Sequence, residues 1–318
     1  MKKTILYTIF SLFVASACTQ KNYPQYTVLP EGYEFPNNDT LSVVTWNVEH
    51  FVDEYDNPYI SNDMENKPKN VEKKVDLLAN MLRKINADVV VLEEFENRNL
   101  AMKIAKEKLG DLGYKFFTCS TSDNWYMNVV VMSKLPLGAT TTYHTIYGDL
   151  VNYTDSLGRK ETQNTTNARM ITTEVRAKKD FVFHLTGVHL KAGRSKRDVA
   201  MRKGQMDLLR IQADRILLAD KNAKIVMVGD FNSTPDSEEL QHLLKGTTNS
   251  TMIDPLANTS LFSHPSDNPK WRIDHILMNK SMSKYLVANS VHVPNYLDKN
   301  DCRALSDHLP LVARFVIK

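Results

Sequence analysis

The order of apolar and polar residues along the chain predicts many short strands and few, long helices. From Val71 to Ile85, apolar residues recur at spacings of three and four, which is the period of an amphipathic helix. The run "DVVVL" (88–92) is short and apolar, as expected of a buried strand. Helices are predicted over 71–85, 98–109, 196–219 and 237–244, and strands at 41–46, 88–92, 114–118, 128–133, 170–176, 181–188, 224–229, 273–278, 286–293 and 311–317. Such a mixture favours a layered α+β sandwich over a strictly alternating wound sheet.

Composition indicates one large globular domain, which we expect to span residues 39–318. The chain has 318 residues, of which 42% are hydrophobic and 24% charged, with no obvious repeat. Residues 139–167 are rich in Thr, Asn, Tyr and Gly and are interpreted as a long loop or a hairpin excursion. The net charge is only +3, so any attraction for nucleic acid or anionic lipid must be local rather than global.

The first seventeen residues are predicted to be a signal peptide. "MKK" forms a basic n-region, residues 5–14 an apolar h-region, and "ASA" (15–17) a small-residue cleavage site. The apolar stretch is too short for a spanning helix of about 20 residues. Cleavage would leave Cys18 first, which resembles a bacterial lipoprotein signal in which this cysteine is acylated; an ordinary secretory signal is the alternative. In either case we expect export to the periplasm, outer membrane or cell surface of a bacterium, with residues 18–38 as a tether.

The remaining cysteines, Cys119 and Cys302, leave two alternatives open. In an oxidising compartment they could form a disulfide, but their wide separation in sequence is equally compatible with two separate thiols. No CxxC motif or cluster of His and Cys residues suggests a zinc site.

Several predicted strands end in an acid, an amide or a histidine at the point where the apolar run stops. Each such residue has an ordinary explanation: Asn47 as a turn residue, His189 as a satisfied histidine, and Asp274 as the partner of Arg272. These explanations do not account for the joint occurrence, which is the inventory of an oxygen-ligand metal site with histidines beside it. The residues concerned are Asn47, Glu93, Glu94, His189, Asp230, Asn232, Asp274, Asp307 and His308.

The segment "GDFNSTP" (229–235) is the most informative of these strand ends. Asp230 and Asn232 are two residues apart, so in an extended chain both point to one side, with Phe231 on the other. Taken alone, the segment is equally compatible with a polar turn that leaves the core and with the floor of an active site.

With these motifs in place, the sequence resembles the endonuclease/exonuclease/phosphatase superfamily, which includes deoxyribonuclease I, abasic-site endonucleases, neutral sphingomyelinases and inositol-polyphosphate 5-phosphatases. The resemblance covers about 41–318, with the motifs in the family's order. It implies a four-layered α/β/β/α sandwich and magnesium- or manganese-dependent hydrolysis of phosphoric esters. The matching segments are "TWNVE", "ADVVVLEEFEN", "NVVVMSKLPL", "GVHLKAG", "VMVGDFNSTPDS", "WRIDHIL" and "LSDHLPLVARF".

The resemblance implies a metal site in which Glu94 is the principal ligand, with Asn47 and Asp307 nearby. Carboxylate and amide oxygens suit Mg²⁺, and Mn²⁺ is the alternative ion. Two positions depart from the family's pattern. Glu93 stands where glutamine is usual, so it would either compete with Glu94 for the metal or lie on the opposite face. His275 stands where tyrosine is commoner, which concerns only packing.

The resemblance also implies a catalytic group. Asp230 would orient or deprotonate the attacking water, and Asn232 would hold the phosphate or the nucleophile. His189 and His308 would face the phosphate oxygens and stabilise the charge that develops during in-line displacement. Asp274 would hydrogen-bond to His308, fixing its tautomer and raising its pKa.

Basic residues near the predicted site are candidates for phosphate binding. In "HLKAGRSKRDVAMRKGQ" (189–205), Arg194 and Arg202 follow closely after the strand end, and a guanidinium grips phosphate bidentately. Lys196 and Arg197 are equally well explained as the solvated start of a helix. Arg169, which opens a strand, is a third candidate for contact with the substrate.

Among the family's activities, the sequence favours a nuclease-type phosphodiesterase. "RIDHIL" resembles the nuclease-like branch, whereas inositol phosphatases carry a tryptophan-cysteine-aspartate-arginine version that is absent here. The alternative is a phospholipid or sphingomyelin phosphodiesterase, or an inositol- or sugar-phosphate phosphatase, with 139–167 at the head group. A catalytically inactive binding module would be expected to lack one of Glu94, Asp230 or His308, and all are present. We expect a monomer that acts on nucleic acid and meets the membrane only through its lipid.

Overall fold

The computed structural model describes residues 29–55, 69–120, 126–143, 146–163, 169–247, 250–294 and 296–317. The predicted signal peptide, Cys18 and the first part of the predicted tether lie outside these residues. Residues 29–38 contain no helix or strand, and Tyr33 packs edge-on against Phe116 with ring centroids 5.9 Å apart. Within the described part of the chain, no helix is both long enough and apolar enough to cross a bilayer.

The elements follow one another along the chain with long strands at the centre of each sheet. The helices are α1 (Val71–Ile85), α2 (Arg98–Lys108), α3 (Lys196–Ala219), α4 (Glu238–Lys245), α5 (Lys280–Ser283) and α6 (Lys299–Leu305). The strands are β1 (Thr40–Phe51), β2 (Val89–Phe95), β3 (Phe116–Cys119), β4 (Asn128–Ser133), β5 (Leu137–Thr142), β6 (Gly148–Thr154), β7 (Lys160–Gln163), β8 (Met170–Lys178), β9 (Phe181–His189), β10 (Ile225–Asp230), β11 (Met252–Ile253), β12 (Asp274–Asn279) and β13 (Leu311–Val316).

The described strands form two main sheets and one separate hairpin. The first sheet has the order β13-β1-β2-β4-β3, the second has the order β11-β12-β10-β9-β8-β5, and β6 pairs with β7. The pairs β1–β2 and β9–β10 are parallel, and their neighbours are antiparallel. Parallel neighbours bring their carboxyl ends to the same edge of a sheet. The polar residues that end these strands are thereby collected in two groups, one from each sheet.

Alternation of side chains along the central strands builds the layers. Val43 faces the second sheet, whereas its neighbour Val44 faces α1 and α2. On β10, Val226 lies in the core between the sheets and Met227 packs under α3 and α4. Helices therefore cover the outer face of each sheet, which is the predicted four-layered α/β/β/α sandwich.

Helix ends also follow the sequence closely. Asn70 caps α1 by accepting a hydrogen bond from the backbone N–H of Lys73, and Asn86 ends that helix in the left-handed conformation. Ser195 and Asp198 form a capping box at the start of α3. These local signals explain why the predicted bounds of α1 and α3 agree with the structure.

One predicted strand differs from the structure, and the segment 139–167 contains the predicted hairpin. The predicted strand 286–293 is wrong, because Leu286 and His292 form only isolated bridges, to Phe315 and Val312. Asn289 lies between them with a φ of 56°, which interrupts an extended backbone. The segment 139–167 contains the end of β5, which joins the second sheet, and the hairpin β6–β7.

Cys119 and Cys302 form no disulfide in this structure.

Candidate active site

An open cleft of about 710 Å³ lies where the carboxyl ends of β2, β9 and β10 meet the loop before β13. Its lining combines residues from both sheets, so the sandwich has to be assembled before the cleft exists. The lining residues that carry candidate chemistry are Glu94, His189, Asp230, Asn232, Asp307 and His308. We call these six residues, together with Asn47 and Asp274, the floor of the cleft.

A β-bulge decides which of the two consecutive glutamates faces the cleft. The register between β2 and β4 shifts after Leu92, and Glu94 adopts a φ of 55°. Its side chain is 15% exposed at the floor. Glu93 is fully buried and accepts a hydrogen bond of 2.7 Å from the Thr45 hydroxyl. Burial raises the pKa of Glu93 well above its ordinary value, and Glu93 is not among the residues that line the cleft.

Asn47 joins the two halves of the floor. Its amide nitrogen donates to Glu94 Oε1 and to Asp230 Oδ2, both at 3.1 Å. Its amide oxygen accepts the backbone N–H of Glu49 at 3.0 Å. The residue was predicted as a metal ligand beside Glu94. In this geometry it also fixes the spacing between a carboxylate of the first sheet and one of the second.

The "GDFN" segment is at once a turn and part of the floor. Gly229 has a φ of 134°, and a Cβ there would lie 1.9 Å from the carbonyl oxygen of Val188, so only glycine fits between β10 and β9. Asn232 turns the chain with a φ of 51°, and its backbone N–H donates to Asp230 Oδ1 at 2.8 Å. Phe231 is fully buried on the other side. The strand end therefore holds both polar side chains towards the cleft.

Asp230 is an acid with an unusual environment. Its side chain is 2% exposed, and burial, with a further contribution from Asp274, raises its pKa to about 7. The positive charge of His308 and hydrogen bonds from Asn232 and Asn47 act in the opposite direction. An acid with a pKa near neutrality is suited to accept a proton from water and to release it again.

His308 is held at the floor by the carboxylate of Asp274. Its Nδ1 lies 2.9 Å and 3.1 Å from the two carboxylate oxygens of Asp274, so the predicted contact is present. Ser263 donates to Asp274 at 2.5 Å and keeps that carboxylate in place. Burial alone would lower the pKa of His308, but the carboxylates of Asp274 and Asp230 outweigh it and hold that pKa well above its ordinary value. The Nε2 is left to face the cleft.

His189 is the neutral counterpart of His308. Burial and the neighbouring guanidinium of Arg169 lower the pKa of His189 to about 3. Its Nδ1 is buried and has no hydrogen-bond partner among the described residues, whereas Nε2 lies 3.5 Å from Glu94 Oε1 and 3.8 Å from Asp230 Oδ2. The tautomer with hydrogen on Nε2 therefore directs a neutral donor into the floor. Arg169 is half-buried and lies close enough to Glu94 and Asp230 for their charges to act on it.

Asp307 has a neighbour that the sequence did not reveal. His264 Nε2 lies 3.5 Å from Asp307 Oδ2, and its ring centroid is 4.7 Å from that of His308. Burial would raise the pKa of Asp307, but the hydrogen bond from His264 and the charge of His308 outweigh this and lower it. His264 comes from a loop rather than from a strand end, so the pattern that found the other residues could not find it.

Arg194 lies at the rim of the cleft, in keeping with its predicted contact with the substrate. Its guanidinium carbon lies 5.5 Å from the ring centroid of Trp271, which is 40% exposed. Both residues line the cleft. We call this pair the rim; it presents a positive charge and an aromatic face to whatever enters.

Arg202 lines the cleft, but its guanidinium is engaged by protein partners, and its predicted role in binding phosphate stays a prediction. The side chain is 4% exposed, and its Nη2 lies 2.8 Å from Glu239 Oε1. Its Nη1 donates to the carbonyl oxygens of Lys191 and Gly193, both at 2.8 Å. Because buried charges need partners, Arg202 is held inward by Glu239 and ties down the loop after β9.

The alternative in which Asp274 simply pairs with Arg272 is corrected. Arg272 forms a buried salt bridge with Asp254, with donor–acceptor distances of 2.9 Å and 3.0 Å. It also contacts His275 Nδ1 at 3.1 Å, and His275 Nε2 lies 2.8 Å from the carbonyl oxygen of Ser233. This chain of contacts supports the "GDFN" turn from behind and leaves Asp274 to His308.

Comparison with known proteins decides the family. A profile of the endonuclease/exonuclease/phosphatase family matches residues 44–308. The chain belongs to this family. A sequence comparison with curated proteins finds no significant match.

Solved structures of several other proteins share the fold. D. rerio TDP2 complexed with single-strand DNA product superposes with a TM-score of 0.58 at 16% identity, covering 87% of this chain and 99% of that one. The human Nocturnin catalytic domain with bound sulfate anion gives 0.59 at 17%, with coverages of 87% and 94%. An AP endonuclease from Archaeoglobus fulgidus gives 0.56 at 16%, with coverages of 86% and 99%. Identities this low establish the shared fold alone.

Members of the endonuclease/exonuclease/phosphatase family depend on a divalent cation, and the floor fits one. Glu94 and Asp307 bring carboxylate oxygens to the cleft with side chains 15% and 32% exposed. Oxygen donors of this kind suit Mg²⁺, which keeps several waters and uses few protein ligands. Among the described residues, two groups of three bring their ligand atoms within 4.8 Å of one another, His264–Asp307–His308 and Asp230–Asp274–His308, and Glu94 belongs to neither.

Proposed function

We propose that this protein is a metal-dependent phosphodiesterase that hydrolyses nucleic acid by in-line attack of an activated water. One observation carries the proposal. The Nε2 atoms of His189 and His308 each lie 3.8 Å from Asp230 Oδ2. A neutral donor, a charged donor and a proton acceptor therefore converge on one point of an open cleft. That combination serves displacement at phosphorus, in which a proton leaves water while negative charge builds on the phosphoryl oxygens.

The proposed reaction uses the floor residues in definite roles. Asp230, with its pKa near 7, accepts a proton from water as the water oxygen forms a bond to phosphorus and the ester P–O bond breaks. The departing ester oxygen takes the bonding electron pair and then a proton from solvent. Asn47 and Asn232 donate to the Asp230 carboxylate and keep it aligned. A divalent cation held by Glu94 and Asp307 would supply Lewis-acid stabilisation of the phosphoryl oxygens.

The two histidines serve the transition state in different ways. His308, whose pKa is raised by Asp274 and Asp230 and whose ring is fixed in direction by Asp274, offers a donor to the developing negative charge. His189 brings a neutral N–H from the opposite sheet, and burial keeps it neutral over the physiological range. Preorganised donors of this kind contribute most where water is excluded, as at this buried floor.

The choice of nucleic acid rests on the rim. Trp271 offers an exposed ring on which a base can stack, and Arg194 lies over that ring beside the place of the phosphate. D. rerio TDP2, which shares the fold, was solved with a single-strand DNA product. The rim also concentrates positive charge locally, which a chain with a net charge of only +3 requires.

A substrate panel tests the proposal. The purified protein is stripped with EDTA, reloaded with Mg²⁺ or Mn²⁺, and offered plasmid DNA, single-stranded oligonucleotides, sphingomyelin, inositol phosphates and bis-p-nitrophenyl phosphate. We expect hydrolysis of the nucleic acids and of the small diester, abolished by EDTA. Asp230→Ala is the inactive variant and Asp76→Ala, on the outer helix α1, is its matched control. Cleavage of only a lipid or a monoester, or an Asp230→Ala variant as active as wild type, would contradict the proposal.

Export and lipidation belong to the same proposal. The basic, apolar and small-residue regions of residues 1–17 and the cysteine at position 18 support an acylated N-terminus, which would place the domain on a membrane surface. Growth with an alkyne fatty acid, followed by fluorescent tagging, should label the wild-type chain but not Cys18→Ser. A chain that stays unlabelled and is released in soluble form would indicate the ordinary secretory signal instead.

A further inference from the structure

A second concave surface adjoins the cleft. It is a groove of about 480 Å³ between the hairpin β6–β7 and the first turns of α3. Arg194 lines both the groove and the cleft, so the two are continuous at that residue. We define the hairpin groove by residues 151–154 on one wall and by Lys196, Val199 and Lys203 on the other.

The hairpin groove is basic. Arg194, Lys196 and Lys203 line it, and none of the described lining residues is acidic. Lys203 contacts Glu238 at 2.8 Å, but Glu238 is 79% exposed and lies outside the lining. Lys196 is exposed and has no carboxylate at ion-pair distance among the described residues. The positive charge is therefore directed at whatever occupies the groove.

The hairpin wall adds an aromatic ring and an irregular backbone. The pairing of β6 with β7 shifts register between Asp149 and Thr154, and Asn152 has a φ of 58°. A bulge of this kind lets consecutive residues line one surface instead of alternating between two faces. Tyr153 thereby lies on the same wall as its neighbours, opposite the lysines.

The hairpin is anchored to α3. A Cβ at Gly204 would lie 2.1 Å from the carbonyl oxygen of Asp149, so β6 and α3 are in backbone contact. Gln163 donates to the carbonyl oxygen of Met201 at 3.0 Å, and Gln205 contacts Gln163 at 3.3 Å. The groove is therefore formed before any ligand arrives, which reduces the ordering cost of binding.

Gln205 also connects the hairpin groove to the loop that follows β9. Its side-chain oxygen accepts the backbone N–H of Lys191 at 2.8 Å, two residues after His189. The hairpin, α3 and the strand end of the floor thus share one hydrogen-bonded frame. A ligand in the groove would be held at a fixed position relative to the floor.

From this geometry we infer that the hairpin groove binds the continuing strand of a polynucleotide whose scissile phosphate lies at the floor. Lysine and arginine contact the phosphates, and Tyr153 provides a face on which a base stacks, which is how single strands are held without sequence preference. The inference rests on the proposed function and makes it more specific: an extended chain binds more tightly than a dinucleotide or a small diester, which contact the floor alone.

Binding and catalysis are measured separately to test this inference. Fluorescence anisotropy with labelled single-stranded DNA of 2, 4, 8 and 12 nucleotides, in EDTA, measures binding in the hairpin groove in the absence of hydrolysis. Hydrolysis of bis-p-nitrophenyl phosphate measures catalysis at the floor with a substrate too small to reach the groove. Wild type should bind the longer strands more tightly. Tyr153→Ala should weaken that binding about fivefold or more, the lower end for loss of one stacked base.

Lys196→Ser should weaken binding most at low salt and should reduce the slope of log K against log salt by about 0.7, the amount expected for one phosphate contact on a single strand. Lys106→Ser, an exposed lysine on α2, is the matched control and should change neither quantity. Hydrolysis of the small diester should be unchanged in all three variants, because none of these residues belongs to the floor.

The inference would be overturned by an affinity that does not depend on strand length, or by Tyr153→Ala and Lys196→Ser variants that bind the longer strands as wild type does. Binding to vesicles of phosphatidylglycerol but not to DNA would also overturn it, since the groove would then serve a lipid surface. If wild type does not hydrolyse bis-p-nitrophenyl phosphate, the proposed function is contradicted. The anisotropy result would still show whether the hairpin groove binds single-stranded DNA.

Discussion

At the floor of the cleft, Asp230, Asp274 and His308 are between 1% and 5% exposed, and each is held by several hydrogen bonds. At the rim, Trp271 is 40% exposed and Arg194 meets it only through its ring face. Buried charges are tolerated at the floor because their partners come from both sheets. The difference indicates that the fold fixes the chemistry, while the substrate is selected on surfaces that can change without disturbing the core.

The largest expected effect is the loss of the proton acceptor at the floor. Asp230→Asn keeps the shape of the side chain and one acceptor oxygen, but its amide nitrogen can accept neither a hydrogen bond from Asn47 or Asn232 nor a proton from water. Catalytic rate on every ester should fall about 10³-fold, within the usual range for a general base. Steady-state hydrolysis of bis-p-nitrophenyl phosphate measures it, with Asp76→Asn as the control. A variant within tenfold of wild type would leave Asp230 without its proposed role.

Loss of Arg202 should damage stability rather than substrate binding. Arg202→Ala leaves the 5% exposed carboxylate of Glu239 without its partner, which typically costs about 3–5 kcal/mol. Urea unfolding should show this loss, and the double variant Arg202→Met with Glu239→Leu should recover much of it. If Arg202→Ala instead unfolds as wild type does and only the KM for DNA rises, the residue contacts phosphate after all.

The contrast between Arg202 and Arg194 shows what the sequence could and could not predict. Both lie shortly after β9, and the same rule selected both for phosphate binding. Only the folded chain places Glu239, from the start of α4, against Arg202. Contacts between residues distant in sequence decide whether an arginine faces inward or outward, and a local pattern does not contain them.

The floor itself was largely predictable, because it depends on strand ends. Apolar runs followed by polar residues are local signals, and Glu94, His189 and Asp230 all lie in the cleft where those runs stop. The choice between Glu93 and Glu94 required the bulge in β2, which alternation alone does not reveal. His264 comes from an irregular loop before "RID", and its contact with Asp307 depends on tertiary structure.

Loss of Asp274 should change the pH dependence of catalysis. This carboxylate favours the protonated form of His308, so Asp274→Asn should lower the pKa of His308. If catalysis requires the imidazolium, the alkaline limb of the pH–rate profile should move to lower pH, and the maximal rate should fall about 10²-fold, at the low end for acid–base and orienting groups. Profiles of kcat on bis-p-nitrophenyl phosphate from pH 6 to 10 measure both effects. An unchanged alkaline limb would show that this limb does not report the titration of His308.

Metal binding should depend on pH through Asp230. Its pKa of about 7 in the folded protein lies above the unfolded value, so the metal-free fold binds this proton more tightly and loses stability as pH rises from about 4 to about 7. A divalent cation stabilises the charged carboxylate against the burial that raises its pKa, and it competes with the proton. Mg²⁺ should therefore raise the Tm more at pH 8 than at pH 5.5, and Asp230→Asn should reduce that difference. Equal shifts at both pH values in the wild-type protein would show that Asp230 is not coupled to the metal.

The smallest expected effect belongs to the rim and tests the comparison most directly. Trp271→Ala removes an exposed ring, so we expect little change in Tm and no change in the hydrolysis of bis-p-nitrophenyl phosphate. The KM for single-stranded DNA should rise about fivefold, the lower end of what one stacked base contributes. Arg194→Ala should produce a similar rise that shrinks as salt increases, because its contact with phosphate is screened. A rim variant that lost activity on the small diester as well would show that the rim takes part in the chemistry, and the division between floor and rim would fail.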